Sequence, residues 1–252
     1  MEVHHHPHVP HGRKKFVEYL LEFMMIFLAI TMGYFAESFR EHLTEKKLER
    51  EFIGALVKEL KSDSKQITNV LNDTVSFKKL DTLGLFLLGR NYDNENTKRI
   101  YELSSYTGNY NGIIFNRNTL SQLKSTGNMR LIHKRNIVDS INLLDNLIST
   151  ANIQLNDVRD IVMGNIKDMS QVLDFGMFVK DMKMIPMDEV FNRNPHLNFL
   201  TNDSSKILKF GYEVMLQSGV IKNYYAMLNN VYELQERLIP FLMKEYHIKN
   251  IE

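Results

Sequence analysis

The longest apolar run of the chain lies near its N-terminus, in residues 16–40. Its uncharged part, residues 23–36, would cover about 21 Å as a helix, whereas the hydrocarbon layer of a bilayer is about 30 Å thick. A membrane-spanning helix therefore has to include residues on both sides, which places Glu22 at or just inside the edge of the apolar layer. This pattern predicts a transmembrane helix over residues 16–40.

Charged and aromatic residues at the two ends of this segment predict its orientation. Aromatic residues lie at both ends, as they do in the interfacial belts of membrane proteins. Arg13, Lys14 and Lys15 form an undiluted basic cluster before the segment, whereas the basic residues after it are mixed with glutamates. Because basic residues collect on the cytoplasmic side, we expect residues 1–15 in the cytoplasm and residues 41–252 on the other side of the membrane.

A cleaved signal peptide is the alternative interpretation of this segment, because it also has a basic start and an apolar stretch of this length. Two features argue against it. Glutamates lie near the start of the apolar stretch, and no clean small-x-small cleavage site follows it. The helical pattern also continues through Phe39 and Leu43, which suits an anchor that extends into a stalk.

Helical spacing of apolar residues dominates the rest of the chain. Steps of three and four recur over residues 40–75 and 203–246, and they are clearest over residues 137–173. Three helices of this length cannot each bury an apolar stripe alone, so they have to pack against one another. We predict an all-α fold, in which the transmembrane helix continues into an elongated antiparallel helical bundle over residues 41–252. A parallel oligomeric coiled coil is the alternative.

Shorter segments between the long helices carry their own signals. Residues 77–88 are apolar almost throughout, which predicts a buried helix that ends at Gly89. Thr119 and Gln122 fit a capping box, in which the hydroxyl and the amide satisfy each other's unpaired backbone donors. Gly127 suits the left-handed conformation that ends a helix.

Two features resemble metal sites, but neither predicts one. Residues 1–15 contain five histidines, and neutral imidazoles this close together can bind zinc, nickel or copper. We interpret them as part of a disordered, solvated, basic tail. Residues 91–96 loosely follow the ligand spacing of a calcium loop, but Asn96 stands where that loop requires glycine. We interpret Asn96 as a helix cap and predict no metal ligands.

Composition narrows the classes of function. The 252 residues carry a formal net charge of +1 and no cysteine. This charge gives no reason to propose a nucleic-acid partner, and the lack of cysteine excludes disulfides and thiolate metal sites. No serine elbow, phosphate-binding loop, dinucleotide fingerprint or paired-histidine helix motif occurs in the sequence. We therefore predict no catalytic residue, no cofactor and no enzymatic activity.

Two segments of the chain resemble a known protein family. From Glu22 the sequence reads EFMMIFLAITMG, between a basic N-terminus and a charged helix, and from Thr119 it reads TLSQLKSTGNMRLI. Together they resemble the anchor and the middle motif of a family of helix-rich, single-pass inner-membrane proteins of Bacteroidota. The resemblance implies a bacterial inner-membrane protein with a periplasmic helical domain. It supplies no activity, cofactor or catalytic residue.

Five residues of the predicted membrane helix recur at steps of four, seven, four and three, so they share one stripe: Glu18, Glu22, Ala29, Gly33 and Ala36. Small residues at such spacing let a second helix approach closely, and a carboxyl group at Glu22 would be costly if it faced lipid. The stripe predicts a contact face for self-association or for docking onto another membrane subunit. In the alternative interpretation, Glu22 reaches the cytoplasmic headgroups and the small residues are incidental.

These patterns predict a non-enzymatic interaction or structural subunit. It would sit in membrane lipid and hold a partner at the inner membrane through its transmembrane helix and its bundle. The alternative is a periplasmic sensory module of the four-helix type that binds a small ligand and signals through a partner. Because only about fifteen residues precede the predicted membrane helix, we favour the first function.

Overall fold

The computed structural model of the protein describes residues 16–180, 183–194 and 196–249. The fold of these residues is all-α, as predicted, and the two short strands that they contain pair antiparallel. The helices are α1 (Phe16–Asn72), α2 (Val75–Leu88), α3 (Asn94–Ser104), α4 (Asn118–Ser125), α5 (Arg135–Val172), α6 (Met187–Arg193) and α7 (Ser204–Glu245), and the strands are β1 (Val179–Lys180) and β2 (Lys183–Met184). The predicted histidine-rich tail, residues 1–15, lies outside the described residues.

The chain divides into two compact units, Met1–Glu51 and Phe52–Glu252. The described part of the first unit is helical throughout and exposes its large apolar side chains. The second unit contains the hydrophobic core, to which α1, α2, α3, α4, α5 and α7 all contribute buried side chains. Helix α1 continues without a break past residue 40, as the sequence pattern predicted for an anchor followed by a stalk.

Helices α5 and α7 pack side by side in opposite directions. Lys209 near the start of α7 lies 2.9 Å from Asp168 near the end of α5. Farther along, Asn223 donates a hydrogen bond to Gln154 at 3.1 Å. Residue numbers fall on α5 as they rise on α7, so the pair is antiparallel, as predicted.

The second half of α1 and the whole of α2 follow one another along α7, again antiparallel to it. Ser64 of α1 donates to the Gln235 side chain of α7 at 2.7 Å. Ser218, farther back on α7, donates to Asp81 of α2 at 2.6 Å. The helix break at residues 73–74 therefore separates two helices that share one partner.

Helix α2 ends at Leu88 with Gly89 as its C-cap, as predicted, but only one of its faces is buried. Leu80, Leu83 and Leu87 are fully buried, whereas Leu85 is 66% exposed. The expectation of a buried helix is therefore correct only for the face that meets α7 and α3. An almost uniformly apolar sequence hides this difference between the two faces.

The helix ends agree with the sequence signals at some positions and differ from them at others. Asp203 caps α7 by accepting from the Ser205 N–H at 2.9 Å, and Gly127 has the left-handed φ of 70°. The predicted cap at Asn96 is wrong, because Asp93 caps α3 and accepts from the Asn96 N–H at 2.8 Å. An N-cap side chain bonds the backbone two or three residues later, so here the aspartate is the cap and Asn96 is its donor.

Tyr101 of α3 fixes both ends of the long connection between α5 and α7. Its hydroxyl accepts from the Asp174 N–H and donates to the Asn198 carbonyl oxygen, each at 3.0 Å. Its ring packs against Phe175 and Phe178, with both centroid separations at 5.8 Å. The connection, which contains the strands and α6, is thereby held against the bundle.

Neighbouring leucines on α5 provide a test of the predicted core. Leu144 is 1% exposed and Leu143 is 51% exposed. We expect Leu144→Asp to lower the free energy of unfolding by about 3 kcal/mol or more, because it buries an uncompensated charge. The measurement is chemical unfolding of the full-length protein in mild detergent. Leu143→Asp is the matched control and should change stability by less than about 1 kcal/mol; equal effects would contradict the assigned core.

Candidate functional sites: the exposed apolar helix and the carboxylate-bound strap

The first candidate site is the apolar segment at the start of α1. Among the described residues, one helix is long and apolar enough to cross a membrane. The rest of the chain does not bury the most apolar stretch of this helix. Large side chains such as Phe16, Ile30 and Met32 are exposed. Length and composition of this kind are shared by a membrane span and by a signal sequence.

The structure places all five residues of the predicted stripe on one exposed face of α1: Glu18, Glu22, Ala29, Gly33 and Ala36. On an ideal helix with 100° per residue they fall within about 60° of arc. A Cβ atom added at Gly33 would meet nothing within 4 Å. The placement on one stripe is therefore observed, and its role as a contact face stays a prediction.

The second candidate site is an extended segment, residues 109–117, which we call the strap. It contains no helix or sheet, and its side chains alternate between the core and the surface. Ile113 and Phe115 are buried, whereas Ile114 between them is 83% exposed. Extended backbone produces such alternation because successive side chains point to opposite sides.

Side chains of α5 and α7 hold the middle of the strap. The Ile113 N–H donates to the Tyr224 hydroxyl of α7 at 3.2 Å. Gly112 lies directly against α5, since a Cβ atom added there would be 2.8 Å from the Leu155 Cδ1 atom. The strap therefore lies in a groove between helices, and a glycine lets its backbone approach the groove wall closely.

Two carboxylates on α1 hold the end of the strap and the start of α4. Asp63 accepts from the Asn116 N–H at 3.1 Å and from its side-chain amide at 2.8 Å. One turn earlier, Glu59 accepts from the Thr119 N–H at 3.0 Å and from its hydroxyl at 2.9 Å. The predicted capping box of Thr119 with Gln122 is therefore wrong, because a carboxylate from another helix takes the position of the local cap.

Asp63 is fully buried, and burial raises its pKa to about 6. The two hydrogen bonds from Asn116 favour the charged form but do not outweigh the loss of water, and the nearby Glu59 charge adds to the shift. A carboxyl group in this position changes its charge between pH 5 and 7. Neither Asp63 nor Glu59 was predicted from the sequence as a functional residue.

A third carboxylate beside the strap, Asp145, has its pKa shifted in the opposite direction from that of Asp63. Asp145 of α5 forms ion pairs with Arg117 at the strap end and with Lys124 of α4. Burial opposes its ionisation, but the bonds to Lys124 and Arg117 outweigh burial and lower its pKa. Asp145 therefore remains ionised near neutral pH, and the Arg117 end of the strap stays paired.

A buried polar chain links α5, α7 and the segment before the strap. Asn165 donates to the Gln217 side chain at 2.7 Å, and Gln217 donates to the Thr107 carbonyl oxygen at 2.8 Å. Both amide side chains are almost completely buried. Buried amides need their partners, so this chain fixes how α5 and α7 are aligned along their lengths.

The described residues contain no group of three or more histidine, cysteine or acidic side chains that could hold a metal ion. A cavity of about 490 Å³ lies where α3 and α7 begin. Its lining includes the aromatic pair Tyr92 and Phe199 together with Thr97, Asn202 and Ser204. This cavity has the size of a small-ligand site, and it lies at one end of the bundle rather than between the long helices.

The Glu59 contact generates a prediction about stability. Glu59→Ala would remove the acceptor of two Thr119 donors, and we expect it to lower the free energy of unfolding by about 1–3 kcal/mol. Urea unfolding of the full-length protein in detergent measures the change. Glu51→Ala on the same helix is the control: its ion pair with Lys47 is exposed and 3.9 Å long, so its effect should stay below about 1 kcal/mol. A loss no larger for Glu59→Ala than for this control would contradict the capping role.

Comparison of the chain with protein-family models, with curated proteins and with solved structures found no match. The resemblance of the anchor and the middle motif to a Bacteroidota family therefore stays a prediction.

Proposed function

We propose that the protein is a non-enzymatic interaction or structural subunit of a membrane complex. It spans the bacterial inner membrane once and holds a partner there through its transmembrane helix and its helical bundle. The observation that carries this proposal is the exposed apolar segment of α1, none of which is buried by the rest of the chain. The resemblance to the Bacteroidota family supports the choice of membrane.

The energetics of that segment favour lipid as its surroundings. Large apolar side chains such as Phe23, Ile26 and Leu28 are each about half exposed or more, and water penalises exposed apolar area by about 25 cal/mol per Å². Monomeric soluble proteins rarely leave so long a continuous apolar surface uncovered. Aromatic residues near both ends of the segment suit the two membrane interfaces.

Within lipid, the stripe gives the helix one face that differs from the others. Ala29 and Gly33 lack side chains that would keep a second helix at a distance. Glu22 on the same face places a carboxyl group where contact with lipid would be costly. A partner helix, from a second copy or from another subunit, satisfies both features.

The second unit also offers apolar surface for a partner. Tyr212 and Leu216 are exposed one turn apart on α7, and Leu85 is exposed on the neighbouring α2. Aromatic and apolar side chains that are exposed together are typical of protein contact surfaces. A bundle that presents them outside the cytoplasm fits a subunit that binds a partner on that side.

A sensory module that binds a small ligand is the second candidate function. The cavity of about 490 Å³ beside Tyr92 and Phe199 favours it. In this second function, signalling would pass through a partner. Ligand-induced stabilisation of the purified protein would support this function over a purely structural one.

Reporter fusions test the proposed topology. Alkaline phosphatase fused after Glu252 should be active, because it folds outside the cytoplasm, and a fluorescent protein that matures only in the cytoplasm should be dark at the same position. The basic cluster Arg13, Lys14 and Lys15 gives the physical reason for this orientation. The reverse pattern would show that the bundle is cytoplasmic.

Substitutions in the stripe test the proposed contact face. Gly33→Leu should block close helix approach, and Glu22→Leu should remove the carboxyl contact. Each should reduce co-purification of tagged with untagged copies, or of a native partner, by several-fold while membrane insertion remains normal. Phe27→Leu, which lies on roughly the opposite side of the helix, is the control and should associate like wild type. Unchanged association in both stripe variants would rule out this face.

A further inference from the structure

One end of the second unit carries a concentration of basic side chains. Acidic and basic residues are almost equally numerous in the chain, 30 against 31, yet residues 103–138 contain no aspartate or glutamate. This stretch contains five basic residues: Arg117, Lys124, Arg130, Lys134 and Arg135. Residues 244–249 add Lys244 and Lys249. We call residues 117–135 and 244–249 together the basic end.

Contacts between helices bring the two parts of the basic end together. Lys134, which directly precedes α5, forms an ion pair with Glu245 at the end of α7. Arg117 and Lys124 both pair with Asp145 in the first third of α5. Helix α4 and the turn after it therefore lie beside the start of α5, at the end of the bundle where α7 finishes.

Apolar side chains of the basic end are buried, and this leaves the basic side chains in solvent. Leu123 and Leu131 are at most 4% exposed, whereas Arg130, Arg135 and Lys244 are all exposed. None of these three basic side chains forms an ion pair with another residue that the structure describes. Their charges are therefore available to an external partner.

The carboxylates near the basic end do not neutralise it. Asp145 pairs with two of its cations and Glu245 with one. Glu59 is engaged with the start of α4, and Asp139 lies one turn after Arg135. The seven basic side chains outnumber these carboxylates, so this end presents an excess of positive charge.

The chain enters the second unit at this same end. Helix α1 is antiparallel to α7, and its Ser64 bonds Gln235. At a rise of 1.5 Å per residue, Phe52 precedes Ser64 by about 18 Å on α1, and Glu245 follows Gln235 by about 15 Å on α7. Phe52 is therefore roughly level with the end of α7. Even fully extended, residues 41–51 would let Phe52 lie at most about 43 Å from the end of the proposed membrane segment.

We propose that the basic end binds the anionic phospholipid headgroups of the membrane that α1 crosses. This inference rests on the proposed membrane anchor and names a further contact of the same subunit. Basic side chains attract an anionic surface over about one Debye length, about 8 Å at physiological salt. The short tether keeps the basic end close to that surface, so the contact forms at a high effective concentration.

The tether also favours lipid over other anionic partners. An acidic protein would offer the same complementary charge, but the chain itself ties only the bilayer to this end. The contact is compatible with the proposed topology. The preference for basic residues in the cytoplasm applies close to the ends of a membrane helix, and long domains are translocated largely regardless of their charge.

Resonance energy transfer in lipid nanodiscs tests the contact in the full-length protein. Because the chain contains no cysteine, a single Ser125→Cys at the exposed end of α4 provides the site for a donor dye. A headgroup-labelled lipid carries the acceptor. Transfer should be higher in nanodiscs that contain phosphatidylglycerol than in those of phosphatidylcholine alone, and high salt should remove the difference.

Charge reversal tests whether the basic end causes this difference. Each basic residue near an anionic surface strengthens binding about fivefold, so Arg130→Glu combined with Arg135→Glu should lower the ratio of docked to undocked bundle on the order of 25-fold. Lys180→Glu combined with Lys183→Glu is the matched control. It makes the same change in net charge on the exposed strands between α5 and α7, and it should dock like the wild type. Circular dichroism checks that both variants are folded.

The possible failures of this experiment are distinguishable. Equal transfer in both kinds of nanodisc would overturn the lipid contact, leave the anchor intact and point to an acidic protein as the partner. An equal loss of transfer in the two double variants would also overturn it, because the effect would then follow net charge alone. Failure of the full-length protein to enter nanodiscs would contradict the proposed membrane role and this inference together.

Discussion

The packing of α7 against α5 and α2 is the interaction on which the second unit depends. Apolar stripes alone would let long helices slide along one another, since one leucine replaces another at each turn. Gln217 and Gln235 are buried at the two ends of this packing, and each bonds a side chain of a different neighbour. Sliding would break the Asn165–Gln217 and Ser64–Gln235 bonds inside the core, so these bonds favour one alignment of the helices.

Much of the fold could be predicted because it depends on local spacing. The structure places α5 at Arg135–Val172, close to the predicted residues 137–173, since many successive turns repeat the same pattern. The same method did not separate the two faces of α2, because Leu80 and Leu85 are chemically identical and only one of them meets another helix. Which face is buried depends on the position of neighbouring helices.

In the candidate sites too, relations within one helix could be predicted, whereas contacts between distant segments could not. Helix geometry alone predicted that Glu22 and Gly33 share a stripe, because that relation is local to α1. The contact of Glu59 with Thr119 joins residues that are 60 positions apart, and no local pattern predicts it. Asp63 did leave a signal: it occupies a position of the apolar stripe that contains Leu60 and Ile67, where a carboxylate requires a partner.

The two hydrogen bonds of the Tyr101 hydroxyl also affect how the chain tolerates insertions. Asp174 and Asn198 both bond the Tyr101 hydroxyl. The segment between them is therefore a loop whose two ends are held close together. The entropy of closing such a loop changes only slowly with its length. Residues added to the exposed part of this loop should therefore cost little loop-closure entropy, provided that both bonds of Tyr101 are kept.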